Sequence, residues 1–256
     1  MIEALKTLSE FGADEAIEEK TINRYESKKK KQDAKSPVKK SSPKPIQSPL
    51  NTAHDTLKQA QSCKSREELQ KAIEDFKGIS ITKTATNTVF CDGQPDAEIM
   101  LIGEAPGAEE DAKGIPFCGA SGKLLDNMIS HIGLLREKNF YITNTLFWRP
   151  PGNRRPTPEE LAICKPFVEK HIALIKPKLI ILVGGTAVTS VLDSKQTITK
   201  IRGQFFDYTN QFLDDSIKTT AIFHPSYLLR SPGQKKNAWY DCLTIRKHIR
   251  DNNITL

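Results

Sequence analysis

Residues 101–119 read LIGEAPGAEEDAKGIPFCG and crowd four carboxylates, Glu104, Glu109, Glu110 and Asp111, into one short segment ahead of Phe117. An apolar run leads into them through a turn rich in Gly and Pro. Solvated acids keep a surface loop soluble. Acids held in place at the mouth of a strand can instead move a proton, orient a water or stabilise a developing cation. Two further segments stand out in the same way: NTLFWRPPGNRRP at 144–156 and HPSYLLRSPG at 224–233.

The elements around these segments are legible from periodicity. EIMLIG (98–103), NFYITNT (139–145), KLIILVGG (178–185) and KTTAIF (218–223) read as short apolar strands. Between them, Leu124, Leu125, Met128, Ile129 and Ile132 recur at helical spacing. Residues 157–175 open with Thr157 and Glu160 in a capping-box pattern and place Leu161, Cys164, Val168 and Ile172 along one face. A short helix is predicted to about Leu192 and another over 236–251. Alternating strands and helices predict an α/β fold, a three-layer α/β/α sandwich on a mostly parallel sheet. In such sheets ligands bind outside the carboxyl ends of the strands. The three unusual segments fall at those ends and are expected to converge on one edge.

Composition bounds the rest. The net charge of +7 over 256 residues has one origin: SKKKKQDAKSPVKKSSPKPIQSPL (27–50) holds eight lysines and one aspartate, so the remaining chain is formally neutral. That stretch is too polar to bury a core. It is expected as a disordered linker over 26–52, a solvated spacer or a loose tether to a polyanion such as DNA. A short helix is expected over 2–18, and a helical lead-in over 53–77 opens the main domain, 53–256. No apolar run approaches the length of a membrane span, and the first residues lack signal-peptide order, so a cytoplasmic, nucleoid-associated protein is expected. Five cysteines without C-x-x-C spacing argue against a disulfide framework.

Several motifs fail. GASGKLL (119–125) has Phe117 where a Walker loop needs its first Gly, and Leu124 where it needs Ser or Thr. VGGTA lacks G-x-G-x-x-G. No H-E-x-x-H, G-x-S-x-G or zinc-deaminase signature is present.

GEAPGAEEDAKGIPFCGASGKLLD, YITNTLFWRPPGNRRPTPEE, Arg202-Gly203 and HPSYLLR, in that order over roughly 78–250, resemble the family 4 uracil-DNA glycosylases. The resemblance implies an enzyme that flips uracil out of DNA and hydrolyses its N-glycosidic bond. It implies Phe117 as the stacking ring and Asn144 as the amide that reads N3–H and O4. His224 is implied as the donor to O2 that stabilises the departing anion, with Gly103, Ala105 and the following backbone lining the pocket. Among the carboxylates Glu104 is the first choice near the sugar, with Glu110 and Asp111 as alternates, and Glu109 is expected to be solvated. Tyr227, Leu228 and Leu229 resemble the intercalation loop; the two leucines can equally be core. Arg149, Arg154, Arg155 and Arg230 are candidate phosphate contacts. Uracil-containing DNA is the expected partner, with no membrane, and a monomer is expected.

The chain departs from the family at the cofactor. The resemblance implies a [4Fe-4S] cluster on four cysteines, yet Ile79 and Trp148 stand at ligand places and only Cys164 matches. One thiolate cannot hold such a cluster, so none is expected, with Cys164 as a buried small hydrophobe. The histidine of a related covalent-capture branch is missing between Arg149 and Glu160. Two alternatives remain open at this point: a glycosylase of the same superfamily preferring hypoxanthine or xanthine, and a catalytically silent DNA-binding module.

Overall fold

The structure, a computed structural model, describes residues 49–256. The helix expected over 2–18 and most of the linker expected over 26–52 lie outside the described residues.

Two helices lead in: α1 (Pro49–Ser62), which begins inside the stretch expected as linker, and α2 (Arg66–Asp75). The helical lead-in expected over 53–77 is two helices, separated at Lys64-Ser65, where Ser65 takes extended backbone and its side chain caps Glu68 N–H. The sheet follows: β1 (Asp92–Gly93), β2 (Ile99–Gly103), β3 (Tyr141–Asn144), β4 (Leu179–Val183), β5 (Phe205–Tyr208) and β6 (Ile217–Ile222). Helices α3 (Ala108–Lys113) and α4 (Ala120–Ser130) join β2 to β3. Helix α5 (Pro158–Ile175) joins β3 to β4. Helices α6 (Gly185–Leu192) and α7 (Ile198–Ile201) precede β5. Helices α8 (Pro225–Arg230) and α9 (Lys235–Asp251) follow β6.

The sheet order is β1-β3-β2-β4-β6-β5. The four central strands are parallel, as expected. The two edges, β1 on β3 and β5 on β6, are antiparallel and were not anticipated. Both are short or half-exposed, so neither carries the apolar run that marks a central strand.

Side-chain alternation along the strands divides the core into two layers. Met100, Ile102, Tyr141, Ile180, Leu182 and Ala221 face one side, against residues of α2, α5 and α6. Ile99, Leu101, Ile142, Leu179, Ile181, Val183 and Ile222 face the other, against Leu125 and Ile129 of α4 and Cys242, Ile245 and Ile249 of α9. With both faces covered, the chain forms the α/β/α sandwich. The capping box at the start of α5 is present: Glu160 N–H donates to Thr157 Oγ1 at 3.2 Å, and Thr157 N–H to Glu160 Oε2 at 2.8 Å. Among the described residues no helix is long and apolar enough to cross a membrane.

Candidate active site at the carboxyl edge of the sheet

Parallel pairing sets Gly103 opposite Asn144 at the ends of β2 and β3. The two loops leaving these strands are stitched together, because the Glu104 carbonyl accepts Thr145 Oγ1–H at 2.7 Å and Leu146 N–H at 3.1 Å. Gly103 is glycine because of close approach. A β-carbon there would lie 2.4 Å from Phe117 Cζ and 2.5 Å from Asn144 Oδ1, distances at which atoms overlap. The ring of Phe117 and the amide of Asn144 therefore close over the same α-carbon.

Asn144 is 1 % exposed, and its Oδ1 is buried without a hydrogen-bond partner. An orphaned buried acceptor costs about 1–3 kcal/mol.

His224 completes the cup. It follows β6, lies against Gly184 at the end of β4, and its ring stands 5.8 Å from that of Phe117. His224 caps α8: Nδ1 accepts Ser226 N–H at 3.2 Å and lies 2.8 Å from Ser226 Oγ. A ring whose Nδ1 accepts carries its proton on Nε2, which makes Nε2 a donor. Burial holds the imidazole below its ordinary value of 6.5, with Arg230 adding to the effect and Glu104 and Glu110 opposing it. Both effects, burial and the Nδ1 hydrogen bond, favour the neutral ring with its proton on Nε2. Behind it, Arg202 sits 5.1 Å from the Phe223 ring and donates to Asp241 Oδ2 at 3.0 Å and to the Asn237 carbonyl at 2.6 Å. The Arg202-Gly203 pair thus fastens α9 to the residue preceding His224, a role its sequence position did not reveal.

The four carboxylates separate by what they touch. Glu110 is engaged at both oxygens, accepting Gly107 N–H at 3.1 Å and Gly119 N–H at 2.9 Å. Asp111 is buried and accepts the N–H groups of Thr86 at 2.8 Å and Asn87 at 3.1 Å, with Arg149 Nη1 3.9 Å from its other oxygen. Both alternates thus hold loop backbone in place. Glu109 is exposed, 3.9 Å from Lys113 Nζ. Glu104 is half-buried, makes no side-chain hydrogen bond among the described residues, and lies near enough to raise the His224 proton affinity. It is the carboxylate left free at the cup. Ala105 is half-buried in the same turn.

Burial and pairing sort the remaining candidates. Leu228 is fully buried with Phe223 and Ala238, whereas Leu229, on the next position of α8, is 47 % exposed and Tyr227 half-buried against Phe223. Arg154 is spent on a bidentate pair with Glu160, at 2.6 and 2.9 Å, which holds that carboxyl below its usual range. Arg149 donates to Asn153 Oδ1 at 2.6 Å within its loop. Arg155 and Arg230 are exposed and enter no ion pair among the described residues.

The places implied for cluster ligands do not fit one. Ile79, Trp148 and Cys164 lie in one apolar cluster with Phe76 and Phe167. Trp148 packs 5.9 Å from Phe76 and 6.0 Å from Phe147, and its Nε1–H donates to Thr88 Oγ1 at 3.0 Å. Cys164 is fully buried within that cluster. Among the described residues no group of three or more His, Cys, Asp or Glu could hold a metal.

Comparison with known proteins agrees with the geometry. Residues 90–243 match the model of the uracil DNA glycosylase superfamily. The chain is 38 % identical to the type-4 uracil-DNA glycosylase of Archaeoglobus fulgidus over 172 residues, 66 % of this chain and 85 % of the relative. It is 39 % identical to that of Thermotoga maritima over 172 residues, 65 % and 86 % of the two chains. With the type-4 enzyme of Sulfurisphaera tokodaii it shares 35 % over 187 residues, 72 % and 84 %. A cup of ring, amide and imidazole on the carboxyl edge of this sheet, together with these likenesses, shows that the chain belongs to the type-4 uracil-DNA glycosylase family.

Proposed function

We propose that this protein is a monofunctional DNA repair glycosylase that flips uracil from DNA and hydrolyses its N-glycosidic bond, leaving an abasic site. The single observation that carries the reading is the buried, unpartnered Oδ1 of Asn144 beside the Phe117 ring. Uracil supplies what that site lacks: a flat face for Phe117, an N3–H donor for Oδ1, and an O4 acceptor for the amide N–H. Cytosine has an acceptor at N3 and would leave the orphan unsatisfied, a loss of about 1–3 kcal/mol.

Cleavage breaks the C1′–N1 bond. The bonding electrons move onto the base, where O2 takes much of the charge, and the sugar acquires cationic character. The neutral His224, donating from Nε2, stabilises the anion at O2 without first giving up a proton. Glu104, the free carboxylate, stabilises the sugar cation or orients the water that adds to C1′. The water's proton leaves to solvent or to the departing base. Arg155 and Arg230 are read as phosphate contacts and Leu229 as the side chain that fills the vacated stack. The enzyme is read as cluster-free, with the Trp148 packing in the cluster's place, as a monomer, and as cytoplasmic.

Incubation with a uracil-containing oligonucleotide, followed by alkali, tests the reading. Strand breaks at uracil and none at cytosine are expected; intact strands would reject it.

A further inference from the structure

Phe117 has an unusual backbone. Its φ is +53°, in the left-handed region that residues other than glycine seldom adopt, at a cost of about 1–3 kcal/mol. That turn swings the ring over Gly103 and leaves the Phe117 carbonyl pointing back into the protein. Two features meet the carbonyl there. Gly122, in the first turns of α4, packs so close that a β-carbon would lie 1.6 Å from the Phe117 oxygen. Arg136, in the loop ahead of β3, donates from Nη2 to the Phe117 carbonyl at 3.1 Å and from Nη1 to the Pro116 carbonyl at 2.9 Å.

Arg136 is itself held from every side. Asp126 of α4 accepts from Nε and Nη2 at 2.9–3.2 Å, Asp92 of β1 accepts from Nη1 at 3.0 Å, and the guanidinium lies 5.9 Å from the Phe140 ring centre. Its side chain is 15 % exposed. A half-buried guanidinium that satisfies two carboxylates and two carbonyls is fixed in one geometry by its partners. Here the planar fork is what allows one side chain to grip two successive carbonyls while staying paired to α4 and β1.

We propose that Arg136 is a positioning residue for base recognition: by fastening the Pro116 and Phe117 carbonyls to α4 and β1, it maintains the left-handed turn that aims the Phe117 ring into the cup. Arg136 does not touch the base and acts only through Phe117. The inference rests on the reading of Phe117 as the stacking ring, which the Phe117→Ala variant tests by itself.

The experiment is a double-mutant cycle of Arg136→Lys and Phe117→Ala in the full chain, read by kcat/KM on uracil-DNA, inhibition by free uracil, and affinity for abasic-site DNA. The Arg136→Lys substitution retains the charge but removes the fork. It is expected to weaken free-uracil inhibition and kcat/KM by about ten-fold, the scale of one stacked base, with abasic-DNA affinity changed less than about two-fold. In the Phe117→Ala background the same substitution is expected to add nothing. Equal losses in both backgrounds, or parallel loss of abasic-DNA affinity, would overturn the proposal. An inactive wild type, or a Phe117→Ala variant as active as wild type, would instead defeat the underlying reading. If Arg136→Lys melts below assay temperature, Asp126→Asn slackens the same grip at a carboxylate that is already 39 % exposed. It is expected to show the same pattern, smaller in size, and its additivity with Phe117→Ala would count equally against the idea.

Discussion

Gly103 and Asn144 are register partners at the ends of two parallel strands, and a β-carbon on the first would sit 2.5 Å from Oδ1 of the second. The missing methyl is what lets an amide and an aromatic ring share one wall. Gly103→Ala is therefore expected to displace Phe117 and Asn144 together. Uracil excision should fall by about 100-fold or more, since a displacement near 1 Å costs that much in an oriented site. Single-turnover kinetics check this, and a variant within a few-fold of wild type would contradict it.

Asn144→Ala separates recognition from stability. Excision of uracil should drop by about 5- to 150-fold, equivalent to the 1–3 kcal/mol of an unmade buried hydrogen bond. The folded state should lose less than an ordinary buried side chain would, because the orphaned Oδ1 goes with it. Urea unfolding alongside kcat/KM measures both.

His224 predicts the pH profile. Its folded value lies below 6.5 because burial disfavours the cation, so excision should fall as the pH is lowered, with a midpoint below 6.5. Protonation of Nδ1 removes its acceptance of Ser226 N–H. A midpoint above 6.5, by rate or by NMR titration of the ring, would refute the assignment.

Stability should follow the same direction through His171. That ring is fully buried between Phe90, 4.4 Å away and stacked, and the Tyr141 hydroxyl at 2.8 Å, and burial lowers it from 6.5 to about 3. The unfolded chain binds more protons across that window, so the unfolding free energy should decrease as pH falls from 6.5 toward 3. Urea unfolding at pH 7 and pH 5, on wild type and His171→Asn, gives the comparison. The variant should be less stable at pH 7 yet less sensitive to pH.

The two leucines of α8 should behave oppositely. Leu228→Ala should cost about 2–5 kcal/mol of stability, as for a packed core leucine. Leu229→Ala should leave the melting temperature unchanged while lowering excision from double-stranded DNA more than from single-stranded DNA. Equal effects on both substrates would remove Leu229 from the role of wedge.

Trp148 should behave as structure. Trp148→Ala opens a void beside Phe76 and Phe147 and should cost about 3–5 kcal/mol, without changing the iron or sulfide content of purified protein, which is expected to be nil. Stoichiometric iron in the wild type would overturn the cluster-free reading.

The central strands and long helices were legible because each reports its own burial in its own residues: Ile99–Gly103 and Leu179–Val183 are apolar throughout, and Thr157 with Glu160 signals a helix start locally. The edge strands Asp92–Gly93 and Phe205–Tyr208 exist only through their neighbours, so no apolar run marked them. The break between α1 and α2 was carried by Ser65 alone, within an otherwise helical pattern.

The sequence by itself determined the layered α/β plan and the family, because motif order and strand periodicity are local properties of the chain, and it singled out Phe117, Asn144 and His224 as site candidates. Tertiary structure decided which carboxylate stays free, which leucine faces outward, that Arg154 belongs to Glu160, and that Arg136 grips Phe117. Those outcomes depend on partners 3 to 44 positions away, and hydrogen-bond competition among groups brought together only by folding selects among residues that read alike in one dimension.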